Sequence, residues 1–250
     1  MFELLLLLGI VAILHFVIGK YPEPLPRSVN PKKEVLEAIG FSAFVSIAVT
    51  VLLYIIPAEA IINKTPRVEF LGSLALSPFI FVIPLVYVLR VDKWTSKDLG
   101  FKKPRSWPVL IFALLLFGYA GTQSLFTDPS RAPLGLPFIL IALFQPAFTE
   151  ELLFRGIIQG KLERALGQNR AWIYSGILFG LVHIAPDLMG TQWYEHGQDI
   201  GNMIGLLIQQ IIAGWIYGII YMKSRSLLPG FLAHFFTDWR LGSIIKLLFY

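Results

Sequence analysis

Six side chains in the second half of the chain have the types and spacing to act on one atom. Glu150 and Glu151 are adjacent, Arg155 follows Glu151 by four residues, His183 follows Phe179 by four, and Asp238 follows His234 by four. Carboxylates and imidazoles are the groups that exchange protons near neutral pH, and they also ligate divalent metal ions. Residues four apart share one face of a helix, so His234 and Asp238 can serve the same atom or each other. The same spacing, with the acid on the N-terminal side, suits an ion pair between Glu151 and Arg155. Glu150 is turned about 100° from Glu151 around the axis. One glutamate is then neutralised by arginine and the other is free. Glu151 and Arg155 are expected to serve structure and Glu150 chemistry, with Phe179 packed beside His183.

These groups stand in apolar surroundings. The 250 residues are 56% hydrophobic and 15% charged, with mean hydropathy +0.68. That balance is more apolar and less charged than in a soluble domain. The apolar runs are long and continuous and are separated by Pro, Lys, Arg and Asn, which points to helices and excludes the alternating segments of a barrel. The fold class expected is all-α, a polytopic transmembrane helical bundle of about eight spans. They are placed at Phe2–Ile18, Val35–Ile56, Phe70–Leu89, Trp107–Phe126, Pro137–Gly160, Ala171–His183, Met203–Met222 and Leu227–Leu248. Residues 1–250 read as a single integral membrane domain whose motif-bearing core covers about 137–250. The first span is expected to remain as a helix, because Glu3 stands where a signal peptide is basic. The sixth is expected to end near Ala185-Pro186, where proline disfavours continuation. Pro146 deprives the Ala142 carbonyl of its donor and is expected to bend span five.

The net charge of +5 lies between the apolar runs and forms no stripe with aromatics, so nucleic acid is not an expected partner. Without cysteine, disulfides and thiolate chemistry are excluded. Sixteen Lys and Arg residues follow spans one, three, five and seven, whereas Lys64, Arg67 and Arg131 alone follow spans two, four and six. By the positive-inside rule both termini are expected outside, in the cell membrane. Counted at 1.5 Å per residue from Lys161, Arg170 and Ser226, Glu150 lies about 16 Å deep, His183 about 20 Å, His234 about 12 Å and Asp238 about 18 Å. Ionisable groups at such depth cost about 2.5 to 3.5 kcal/mol each on insertion scales. Four at one level imply a shared site. His15 reads as a satisfied interior residue, His196 as a surface residue beside Trp193 and Tyr194, and Asp98–Phe101 as a short interfacial stretch or solvated loop.

Taken in order, Glu150-Glu151-Leu-Leu-Phe-Arg155, Phe179-Gly-Leu-Val-His183 and His234-Phe-Phe-Thr-Asp238 resemble the EExxxR, FxxxH and HxxxN/D motifs of the CPBP family. This family contains CAAX prenyl endopeptidases and bacteriocin-processing proteins and is also called Abi. The resemblance covers about residues 145 to 240. It implies an intramembrane endopeptidase open toward the cytoplasm, acting on a membrane-associated protein or peptide, prenylated or not. By motif position Glu150 would activate water, His183 would assist, and His234 with Asp238 would stabilise the oxyanion. Glu151 and Arg155 would hold span five in register.

Asp238 stands where the closest-looking CAAX-processing enzymes carry Asn. An ionised carboxylate only accepts hydrogen bonds, so Asp238 must be protonated, orient His234, or join His183 and His234 as a metal ligand. Two imidazoles and a carboxylate are a set that holds zinc with an open position for water. The metal reading is preferred, and no organic cofactor is expected. Two other functions fit the polar groups, a non-catalytic immunity or scaffold protein and a proton-coupled transporter. No motif residue is lost, and no inverted repeat is visible, as the first and second of these would lead one to expect.

Overall fold

The structure is a computed structural model that describes residues 2–55, 78–127, 147–189 and 197–239. Pro146, His196, Lys64, Arg67, Arg131 and the side chain of Asp238 lie outside what it describes. The described residues are helical and contain no strand.

Among the described residues eight helical rods follow one another. They are α1 (Phe2–Phe16), α2 (Pro31–Ile55), α3 (Ile83–Arg90, entered through a π-helical turn Pro78–Val82) and α4 (Trp107–Thr127). The fifth, α5, covers residues 149–166, as Thr149–Glu151, a π-helical stretch Leu152–Gln159, and Gly160–Leu166. Then come α6 (Gln168–Leu181, resumed as Ile184–Met189), α7 (Ile200–Ser224) and α8 (Leu227–Trp239). Their ends follow from local chemistry. Asn30 accepts a hydrogen bond from Lys33 N at 3.1 Å ahead of Pro31, and Asp199 accepts one from Asn202 N at 2.8 Å. Both are N-caps that satisfy donors the helix cannot.

Among the described residues three helices are long and apolar enough to cross a membrane: Pro31–Val51, Gln168–Met189 and Ile200–Ser224. Leu4–Phe16, Ile80–Arg90, Trp107–Gly118 and Leu227–Phe236 are apolar but shorter. The chain is an integral membrane protein, and its eight rods are not all shown to be spans.

Two expected boundaries are corrected. Span five does not stop at Gly160; the helix runs to Leu166 and buries Lys161 completely. Lys161 is therefore no interfacial marker, and a depth counted from it understates how far Glu150 lies from the helix end. Span six does not stop at Ala185-Pro186. It breaks earlier, in a turn at Val182 and His183, and resumes through the proline. Pro186 supplies no N–H and crowds the carbonyl four residues back, that of Val182, so the disruption falls there and not at the ring. His183 thus stands at the break.

Helix α6 meets α7 through glycines. Gly176 and Gly180 face Trp215 and Ile211, and a Cβ on Gly214 would come within 2.7 Å of the Gly176 Cα. Gly176…Gly180 and Gly214…Gly218 are both GxxxG pairs, the pattern by which membrane helices bring their backbones close. This contact sets the level of Phe179 and His183 against Tyr217.

At one end of the bundle, buried cations tie the rods together. Lys161 Nζ donates to Glu34 Oε2 at 3.0 Å, Glu37 Oε2 at 2.6 Å and Asp92 Oδ2 at 2.6 Å. Arg225, in the left-handed conformation at the end of α7, binds both oxygens of Glu163 at 2.6 and 2.7 Å. Lys223 Nζ donates to the carbonyls of Leu14, His15, Ile18 and Gly19, satisfying the C-terminal end of α1. Four of the sixteen basic residues counted as topogenic, Arg155, Lys161, Lys223 and Arg225, are buried with such partners. They are fold determinants, so the orientation of the termini rests on the remaining loop charges. The Asp98–Phe101 stretch is not a solvated loop either: Leu99 is buried, and Asp98 pairs with Arg164 at 3.1 Å. His15 is satisfied as expected, by the Tyr21 hydroxyl at 2.6 Å from Nδ1.

Replacing Lys161 by Met removes the one buried cation from Glu34, Glu37 and Asp92 and leaves only the half-exposed Lys33, which reaches Glu37 and Asp92. Thermal unfolding in detergent is expected to show a loss on the order of 3 kcal/mol, the cost of breaking a buried pair. An unchanged melting temperature would show that the cluster is not holding α2 to α5.

Candidate active site

The π-helical stretch of α5 lies immediately after the paired glutamates and includes Arg155. Such segments interrupt α-helices most often at functional sites. Here its effect is to leave Glu151 and Arg155 in contact within the protein. Arg155 Nη2 lies 3.3 Å from Glu151 Oε1, and the two side chains are 0% and 1% exposed. The guanidinium has no hydrogen bond among the described residues. It sits instead over the rings of Phe179 at 4.6 Å, Tyr217 at 5.5 Å and Phe154 at 5.9 Å. Aromatic faces attract a desolvated cation, so three rings and one carboxylate hold this charge in place of water.

Glu151 passes the constraint on to His234. Its Oε1 also meets His234 Nδ1, at 3.1 Å. A carboxylate paired with arginine is ionised and only accepts, so Nδ1 carries the proton of that hydrogen bond. The other ring nitrogen, Nε2, lies 3.8 Å from Glu150 Oε2. That separation is too long for a direct hydrogen bond and is short enough for one atom to touch both. His234 stacks flat on Tyr217, with centroids 4.7 Å apart and planes at 17°, and meets Phe179 edge-on at 6.0 Å. Its plane and its Nδ1 are therefore both fixed.

The two glutamates differ as expected from their angular offset. Glu151 is sealed, whereas the Glu150 side chain is 18% exposed. Gly230 of α8 lies against Glu151, where a Cβ would come within 2.7 Å of Oε2. Only a glycine lets α8 approach closely enough for His234 to reach both acids. His183, at the break in α6, has Nδ1 on the Phe179 carbonyl at 2.7 Å and its ring 4.8 Å from that of Phe179. Phe179 is thus in ring contact with both histidines and with Arg155. Asp238 lies on α8 four residues beyond His234.

The site brings together Glu150, Glu151, Arg155, Phe179 and His234, and His183 joins them through its contact with Phe179. Tyr217 and Gly230 were not anticipated. Tyr217 lies in an apolar run where a tyrosine reads as an interface residue, and the signal that could have marked it is its place inside the Gly214…Gly218 packing pair. Both histidines have Nδ1 engaged by a carboxylate or carbonyl, the kind of contact that orients metal-bound imidazoles. Among the described residues no three His, Asp or Glu side chains converge as a metal site.

Residues 132–240 match the family model described as type II CAAX prenyl endopeptidase Rce1-like. Over this stretch, which is less than half of the chain, the sequence is similar to that family. The matched residues contain all three motifs, and the family is one of proteases. No curated protein and no solved structure gives a match.

Glu151→Gln is expected to leave Arg155 as a buried charge without its acid and to lower stability by on the order of 3 kcal/mol in thermal unfolding. Glu150→Gln, at the exposed position, is expected to leave the melting temperature unchanged. Equal effects of the two substitutions would contradict the division of roles.

Proposed function

We propose that the protein is an intramembrane endopeptidase that hydrolyses a peptide bond of a membrane-associated protein or peptide, with prenylated C-terminal substrates of the CAAX type as the leading class. The observation that carries this reading is the single imidazole of His234 set between a sealed glutamate and a partly open one.

In the proposed reaction Glu150 takes a proton from water, and the water oxygen bonds to the scissile carbonyl carbon. The carbonyl oxygen becomes an oxyanion, and the groups that meet it are His183 and His234, the latter as an imidazolium that donates Nε2–H while its Nδ1–H stays on Glu151. The C–N bond then breaks, and the leaving nitrogen takes the proton held by Glu150. Glu151 takes no proton at any step, because its charge is committed to Arg155 and its Oε1 to His234 Nδ1. The burial of Arg155 and Glu151 supports this assignment, since a base must exchange protons with water or substrate and a sealed carboxylate cannot.

Where a divalent ion is bound, His183 and His234 through Nε2, with Asp238, would hold it, and it would supply Lewis-acid polarisation of the water or carbonyl. The roles of Glu150 and of the Arg155–Glu151 pair are the same in either case. Both termini outside and a site open toward the cytoplasm remain the proposed orientation, resting on the loop charges.

Cleavage of prenylated and unmodified membrane peptides by the purified protein tests the proposal, with and without chelator. Glu150→Gln is expected to lower kcat by about a hundredfold or more, the contribution of a general base. Asp238→Asn is expected to lower activity together with bound metal if Asp238 is a ligand, and to retain partial activity with chelator having no effect if it is not. Near-normal cleavage by Glu150→Gln would overturn the assignment of the base.

A further inference from the structure

Beside the candidate site lies a groove of about 330 Å³, lined chiefly by Phe101, Lys102, Phe148, Leu227, Leu228 and Phe231. Three of these rings touch in series, Phe148 lying 6.1 Å from Phe101 and 6.2 Å from Phe231. Phe148 is one helical turn before Glu151, and Phe231 one turn before His234, so the apolar wall continues from the catalytic helices themselves. The opposite wall is rigid. Gly100 adopts φ 92°, its missing Cβ leaves room for Tyr221, and its carbonyl accepts from Leu227 N at 3.1 Å. Ser226 Oγ donates to the Lys102 carbonyl at 2.6 Å. The groove stays open at its rim, where Phe101 and Leu228 are both nearly half exposed.

Lys102 is the anomaly. Lys161, Arg164, Lys223 and Arg225 all have hydrogen-bonded partners, but the half-buried Lys102 ammonium has neither an ion pair nor a hydrogen bond among the described residues. Burial lowers its pKa, and so do the charges of Arg105 and Arg225, against which those of Asp98 and Glu163 act. Those two carboxylates are already paired, with Arg164 and Arg225. A cation without a hydrogen-bonded partner of its own among the described residues, at the lip of an apolar groove, complements an apolar chain that ends in an anion.

We propose that this groove binds the residues on the C-terminal side of the scissile bond, with their apolar side chains against Phe101, Phe148 and Phe231 and the free C-terminal carboxylate on Lys102 Nζ. The inference rests on the peptidase reading above and names the end of the substrate that the site recognises. A C-a-a-X sequence has this chemistry, aliphatic residues followed by a terminal carboxylate. The enzyme would then measure its cleavage point from the substrate's end, and an otherwise identical peptide with a blocked terminus would bind poorly.

The test is binding, read without turnover, on full-length protein carrying Glu150→Gln in nanodiscs of neutral phosphatidylcholine. Fluorescence anisotropy compares a farnesylated C-a-a-X peptide bearing a free carboxylate with the same peptide as its carboxamide. The acid is expected to bind roughly tenfold more tightly or better, the scale of one charge-assisted hydrogen bond. Adding Lys102→Gln should erase the difference while leaving the carboxamide affinity unchanged, and Lys102→Arg should retain it. Equal binding of acid and amide, no binding of either, or a preference that survives Lys102→Gln would overturn the proposal. So would a preference that vanishes when phosphatidylglycerol replaces part of the lipid, because an anionic headgroup would then be the occupant. Failure of Glu150 as the base is read separately, by cleavage, and leaves the carboxylate preference standing.

Discussion

One buried charge organises the centre of this protein. Arg155 cannot be neutralised at any accessible pH and has no water to solvate it where it sits, so its surroundings must supply the compensation. Glu151 provides the opposite charge, and Phe154, Phe179 and Tyr217 provide the aromatic faces. Each of these partners then acquires a second task. Glu151 fixes the Nδ1 side of His234, Tyr217 fixes its plane, and Phe179 is in ring contact with it and with His183. The geometry that makes Glu150 available is in this sense a consequence of satisfying Arg155.

The end of the bundle repeats the same logic with a different outcome. Lys161, Lys223 and Arg225 are also buried cations, but each is saturated by carboxylates or carbonyls. Together they link α1, α2, the loop after α3, α5 and α7. Apolar helices in lipid gain little from burying one another, so packing of small residues and polar links must hold them in register. The glycine contact between α6 and α7 supplies the first, and the cation cluster supplies the second. Lys102 departs from this pattern, and that departure is why it reads as a ligand-binding group.

Much of the site was legible because helical spacing is rigid. The four-residue interval placed Glu151 on Arg155 and Phe179 beside His183, and the 100° offset separated an open glutamate from a sealed one. The family resemblance was legible from the three motifs and is matched over residues 132–240. What escaped the sequence depends on contacts between helices. The stacking of Tyr217 on His234 and the need for Gly230 beside Glu151 arise only when α7 and α8 meet α5. Lys161 was misread because a lysine at the end of an apolar run looks like an interfacial residue until Glu34, Glu37 and Asp92 are brought to it from distant segments. The break at His183 was placed late because proline acts on the carbonyl four residues before it. Asp238 could be located on its helix but not in its contacts.

The account turns on His234 being anchored by Glu151 and presented to Glu150, and nitrogen-15 NMR of histidine-labelled protein in detergent reads this directly. In the unsubstituted protein the His234 Nδ1 resonance should report a protonated, hydrogen-bonded nitrogen. Glu151→Gln should shift that resonance, and Glu150→Gln should leave it in place while altering Nε2. A proton absent from Nδ1, or an Nδ1 resonance that follows Glu150 instead of Glu151, would contradict the arrangement on which the proposed roles of both glutamates depend.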